Sequence, residues 1–238
     1  MNSTVAYITA RAMLGRKRAL LLVAVPLVLL CLALVVRLVG VGTAEHTAGV
    51  LGILALGAIV PLLGLIIGTG VVAPEIDDGS IIYLLAKPVS RLVIVVTKLV
   101  VAIACLVIFA AVPTMLAGVI MSGNDDGLAL GYAIGALVGG IAYCALFLLL
   151  AVVTRHAVVV GLLYALLWES LIGGYVPGAR TLSVQQWAVS VTSSLAEDGA
   201  VTADVGLAVA AAFLAVATAG GTWLASQRLR SLSLTGEE

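Results

Sequence analysis

Long apolar runs alternate with short polar interruptions along this chain, and the runs outlast anything a soluble core needs. At 1.5 Å per residue, about 20 apolar residues in a helix cross the roughly 30 Å hydrocarbon layer of a bilayer. Six stretches meet that length: residues 19–39, 48–72, 92–121, 128–153, 157–176 and 205–226. None alternates apolar and polar positions over about ten residues, as a strand of a membrane barrel would, so all six are predicted to be helices. The third exceeds a single crossing and is expected to tilt or to begin outside the membrane. Pro26, Pro61 and Pro113 fall inside spans, where they are expected to kink the helix and leave a lost hydrogen bond for neighbours to absorb.

Composition agrees with the pattern: 63% of residues are hydrophobic, 10% are charged, and the mean hydropathy is +1.25. One soluble core cannot bury that much apolar surface, which makes the lipid bilayer the main solvent; no nucleic-acid partner is expected. The net charge of zero conceals an asymmetry. Lys and Arg near span ends stay on the cytoplasmic side. With the amino terminus inside, ten of the 12 basic residues lie inside: Arg11, Arg16, Lys17, Arg18, Lys87, Arg91, Lys98, Arg155, Arg228 and Arg230. Arg37 and Arg180 fall outside, with Glu45, Asp125, Asp126, Glu197, Asp198 and Asp204. Both termini are therefore predicted to be cytoplasmic. The cluster Arg16-Lys17-Arg18 precedes a run too long for a secretory signal and without a small-x-small cleavage site, so the first span is expected to stay.

Several chemistries are missing. There is no G-x-x-x-x-G-K-[ST] phosphate loop, no G-x-S-x-G elbow and no H-E-x-x-H helix, so no catalytic residues are assigned. Cys31, Cys105 and Cys144 sit singly inside spans and read as small core residues. His46, expected in an outer loop, and His156, at a cytoplasmic turn, cannot share a metal. The motifs Gly64-x-x-x-Gly68 and Gly131-x-x-x-Gly135-x-x-x-Gly139 make small-residue faces suited to close helix packing, within the chain or in a dimer.

Residues 73–98, APEIDDGSIIYLLAKPVSRLVIVVTK, form the one long charged passage between spans, on the predicted cytoplasmic side. At 100° per residue, Ile81, Ile82, Leu84, Leu85, Pro88 and Val89 gather on one side of a helix, with Ser80, Tyr83, Lys87, Ser90 and Arg91 on the other. Glu75, Asp77 and Asp78 suit a helix start, Asp78 as its cap, and Pro88 should break the helix near Lys87. A short amphipathic helix on the inner membrane surface results, serving either as an anchor or as a docking surface.

Two further features stand out. Glu169 lies in the outer half of the fifth span, where a carboxylate costs a few kcal/mol unless it finds water or a partner. It could hydrogen-bond across helices, or it could line a translocation route. Arg37 is a candidate ion-pair partner, although the sequence does not place the two in contact. Between Pro177 and Ala203, Val184, Trp187, Ala188, Val191 and Leu195 recur at helical spacing, predicting an outer interfacial helix anchored by Trp187.

The run GTGVVAPEIDDGSIIYLLAKPVSRLVIVVTK resembles the passage between the second and third spans of ABC-transporter permeases of the ABC-2 type, through Glu75, Asp78, Gly79, Leu84, Leu85, Lys87, Pro88, Ser90, Arg91 and Lys98. Tyr164, Trp168, Glu169 and Leu171 are similar to the "Y-x-x-x-WE-x-L" of the fifth span in one branch of that family. The resemblance implies an all-α membrane protein with six transmembrane helices of the type-2 ABC exporter permease fold, a cytoplasmic coupling helix and a short outer interfacial helix. It implies a cytoplasmic interfacial segment at 1–18, a transmembrane domain at 19–226 with a coupling loop at 73–91 and an outer loop at 177–204, and a cytoplasmic tail at 227–238. In such proteins the coupling helix sits in a groove of an ATPase. Here Glu75, Asp77, Asp78, Gly79, Ser80, Tyr83, Lys87, Ser90 and Arg91 would make that surface. The resemblance further implies a second permease copy or homologue, two ABC ATPase subunits that hold ATP and Mg in its place, a multi-pass position in a bacterial inner membrane, and ATP-driven export. An ion-coupled transporter or channel built on Glu169, and a passive membrane scaffold, are the other readings.

Overall fold

Hydrocarbon offers backbone N–H and C=O groups no partner, so each apolar run satisfies them internally as a helix. The computed structural model describes residues 3–13, 15–40, 42–72, 74–75, 90–123, 127–172, 180–197 and 199–232, and among these there is no strand. Helix α1 (Ser3–Met13) is followed by extended backbone at Gly15 and then α2 (Arg16–Val39). Next come α3 (Ala44–Gly70), α4 (Arg91–Ser122), α5 (Leu128–Val153) and α6 (residues 157–172). A single turn at Arg180–Leu182 leads into the short α7 (Val184–Ser193), and α8 (Leu207–Leu232) ends the described chain.

Five helices are long and apolar enough to cross a membrane: α2, α3, α4, α5 and α8. The shorter α6 is the predicted fifth span, whose expected last residues, 173–176, lie outside the described residues. Several boundaries differ from the sequence expectation. Helix α3 starts at Ala44 rather than 48, because Thr43 caps it: its Oγ1 accepts from the His46 N–H at 3.4 Å and lies 2.6 Å from His46 Nδ1. His46 is thus in the first turn of a helix rather than in an outer loop. Helix α8 starts at Leu207 rather than 205 and continues past 226 to Leu232. The proline effects are also resolved. Wide π-helical stretches, Leu51–Ile59 and Val107–Ala111, precede Pro61 and Pro113, and both helices continue through them; Pro26 leaves α2 unbroken.

Helix α5 is the centre of the bundle. Helices α3, α4, α7 and α8 all pack on it, while α2 lies to one side against the second half of α4, and α1 rests on α4 and α3 with Thr9 and Met13 buried. Both glycine motifs are used inside this chain. At Gly68 a Cβ would stand 2.8 Å from the Cys144 carbonyl oxygen and 3.0 Å from Phe147 Cβ, so α3 and α5 touch almost backbone to backbone. Gly131 and Gly139 face α7 in the same way, with Thr192 O at 3.1 Å and Ala188 Cβ at 2.9 Å from the added carbon. A leucine at position 68 therefore has no room, whereas at Gly220 an added carbon meets nothing within 4 Å. Gly68→Leu is expected to cost about 1–3 kcal/mol or more by overpacking, read as early loss of the monodisperse protein in a detergent thermal ramp. Gly220→Leu should melt like the parent.

Candidate functional site

Two polar nodes fix the ends of this bundle. One lies where α3 ends and α4 begins, the end that carries Arg18, Glu75, Arg91 and Lys98 and is called the basic end here. A helix terminus leaves its last carbonyls without partners and with partial negative charge. At the end of α3 these carbonyls are met by cations from both neighbours: Arg18 Nη1 of α2 donates to Gly70 O at 3.1 Å, and Lys98 Nζ of α4 donates to Val71 O at 2.5 Å. The same ammonium pairs with Glu75 Oε1 at 2.6 Å, Lys98 being 1% exposed. The ammonium meets a helix-terminal carbonyl and a carboxylate oxygen at once, which is how a lysine is tolerated on the apolar face formed by Ile94, Val95 and Leu99.

Of the residues expected to make the docking surface, Asp77, Asp78, Gly79, Ser80, Tyr83 and Lys87 lie outside the described residues. Glu75 is turned toward the bundle by its pairing with Lys98. Ser90 is exposed and precedes α4, its carbonyl accepting from the Ile94 N–H at 3.2 Å, and Arg91 is the first residue of that helix. Sequence reasoning gave Lys98 no role beyond closing a motif. Its position seven residues after Arg91, on the buried face of an otherwise apolar helix, was the available signal.

The second node is at the far end and centres on Glu169, 1% exposed. Its carboxylate accepts from three donors: the Ser183 hydroxyl on Oε2, and the Val184 N–H at 3.1 Å and the Tyr164 hydroxyl at 3.3 Å on Oε1. Ser183 is the N-cap of α7, and its Oγ also accepts from the Gln186 N–H at 3.3 Å. A carboxylate from α6 thus occupies the positive N-terminus of α7, where both the free N–H groups and the helix dipole favour a negative charge. Tyr164 reaches the same carboxylate because Tyr164–Ile172 is π-helical and aligns residues five apart, a period that a 100° wheel does not register. Arg37 is exposed on α2, and among the described residues no ion pair joins it to Glu169. The carboxylate is instead held by hydrogen-bond donors at the α7 N-terminus and by the Tyr164 hydroxyl.

Helix α7 is fastened at further points. Gln185 Nε2 donates to Gly52 O of α3 at 3.2 Å, and Thr192 Oγ1 to Gly131 O of α5 at 3.2 Å. Trp187 is 6% exposed, so the anchor it provides is to protein: its ring stacks on Phe213 of α8 with centroids 5.2 Å apart, while Nε1 donates to Thr181 O at 2.8 Å. Beside α7, a cleft of about 250 Å³ opens at the far end between Gly52, Tyr132, Gln185 and Thr202. Among the described residues no group of His, Cys, Asp and Glu could hold a metal ion.

Residues 39–177 match the family model described as ABC-2 family transporter protein, which is more than half of the 238-residue chain. No curated protein matches the chain.

If Glu169 holds α7 in place, Glu169→Ala should leave the Ser183 and Val184 donors without their acceptor at a cost of about 1–3 kcal/mol, whereas Glu169→Gln keeps an acceptor oxygen and should cost less. Amide exchange at residues 184–193 checks this. The expectation is that the alanine variant exchanges fastest there.

Proposed function

The chain belongs to the ABC-2 transporter family and is a multi-pass permease of an ABC transporter, and we propose that a separate ATPase drives it by docking on residues 73–91. The observation that carries this reading is mechanical. Both ends of that segment attach to the basic end of the bundle, through Glu75 held by Lys98 on one side and through Arg91 opening α4 on the other. A loop whose ends are tied to buried helices can pass a displacement to them; one attached through slack chain cannot. With Asp77 and Asp78 followed by the basic Lys87 and Arg91, the segment carries both signs of charge for a protein partner, while Glu75 serves the tie to the bundle.

In this reading the basic end is cytoplasmic, two permease copies assemble with two ATPase subunits, and those subunits bind ATP and Mg and hydrolyse the nucleotide. Alternation between conformations then exports a substrate past the far end, where α7 and the adjoining cleft stand at the exit. Glu169 is better suited to holding α7 than to ion coupling, because three donors and a helix N-terminus already answer its charge.

Co-purification with an ATPase that carries a phosphate-loop motif tests the docking assignment. Asp78→Lys and Arg91→Glu are each expected to lower recovery of the complex by about tenfold, equivalent to about 1.4 kcal/mol. Undiminished recovery and ATP turnover with both reversals would remove the assignment.

A further inference from the structure

Among the described residues, the start of the docking segment is paired with the bundle through the Lys98 ammonium, whose placement goes beyond what tying a loop requires. Lys98 lies seven positions into α4, about 10 Å along the helix from Arg91 at 1.5 Å per residue. From there its Nζ reaches across to Val71 O, at the end of α3, and to Glu75, the residue from which the segment departs. The covalent chain already joins Glu75 to α3 and Arg91 to α4. Lys98 adds the cross-link that makes the departure point move with the body of α4, and Arg18 extends it to α2 through the adjacent carbonyl of Gly70. Three spans therefore converge on two neighbouring carbonyls and one carboxylate.

We propose that Lys98 is a positioning residue for energy coupling: it makes the α3 end, the start of the docking segment and α4 respond as one body when a partner moves that segment. The inference rests on the docking reading above. Without the ammonium, the segment still meets the partner, but its displacement is absorbed where Glu75 leaves α3.

A substrate is not needed for the test. The full-length permease is reconstituted with its ATPase in lipid nanodiscs, and amide exchange is compared without nucleotide and after trapping with Mg-ATP and vanadate. In the parent, ATPase binding should slow exchange in peptides covering 76–89, and trapping should change exchange at least threefold in 184–193 at the far end. In Lys98→Met the protection of 76–89 and the ATP turnover should persist, while the far-end response to trapping is lost. A lone Lys98→Met leaves the Glu75 carboxylate without its cation, so Lys98→Met with Glu75→Gln, which removes both charges, is measured alongside as the variant that keeps folding intact. It too should lose the far-end response.

A full far-end response in either folded variant overturns the role of Lys98 and leaves the docking reading standing. A parent complex whose far end ignores trapping overturns it as well. Absence of protection at 76–89 in the parent would instead sink the docking reading, and this inference with it.

Discussion

Close backbone approach along α5 is the contact on which the rest of the structure depends. Helices in lipid are not driven together by expulsion of water from apolar side chains, so they associate where small residues let backbones come near. Helix α5 uses both sides of that bargain. Toward α3 it presents Tyr143, Cys144 and Phe147, and Gly64 and Gly68 make the hollow that receives them; toward α7 it presents its own glycines, 131, 135 and 139. The resulting proximity is what lets short side chains bridge elements. Thr192 reaches the Gly131 carbonyl, Gln185 reaches that of Gly52, and the Tyr132 hydroxyl donates to Ala48 O at 2.8 Å. With Cβ atoms in place of those hydrogens the helices would stand farther apart, and the bridges would not close.

Packing sets the spacing; polar satisfaction sets where each helix starts and stops. Unpaired donors and acceptors are costly in hydrocarbon, so the helix ends within the bundle determine which charged residues are tolerated beside them. The C-terminal carbonyls of α3 hold Arg18 and Lys98, and the N-terminal amides of α7 hold Glu169. The signs are opposite, as the direction of the helix dipole demands. Each of these charges would be expensive alone. Each becomes an attachment because an oppositely polarised terminus from another element meets it.

Five of the spans, the glycine faces and the helix at 184–193 were legible in the sequence because they depend on short-range periodicity. A run of 26 apolar residues such as Leu128–Val153 permits few other structures in lipid, and Gly131, Gly135 and Gly139 recur at a helical spacing. What was not legible was pairing between distant segments. Arg37 seemed a natural partner for Glu169 because both lie near the far end, yet the donors come from Ser183, Val184 and Tyr164. Two of these are on the next helical element and one is a backbone group, which carries no sequence signature. Tyr164 was hidden for another reason: the π-helical stretch changes the period that brings residues together. Trp187 was recognisable as an anchor, but its partner Phe213 belongs to another span, and only the tertiary fold brings their rings into stacking.

The two ends of the bundle differ in what holds them, and the difference bears on how such a protein moves. At the basic end the cations are carried on long side chains, but both are committed to backbone carbonyls and Lys98 is almost fully buried. Separating α3 from α4 would strand the buried Lys98 ammonium, and separating α2 would take the part-buried Arg18 from the Gly70 carbonyl. At the far end, α7 lies against the glycine face of α5, close to the backbone at Gly131, Gly135 and Gly139. Besides the hydrogen bonds of Gln185 and Thr192 to α3 and α5, two grips tie it to the neighbouring spans: Glu169 of α6 at its N-terminus and Phe213 of α8 against the Trp187 ring. A shift of α6 relative to α8 would load both grips at once. Helix α7 is thereby placed to respond to relative motion of the spans on either side of it, and the proposed role of the basic end is to deliver such motion as a unit.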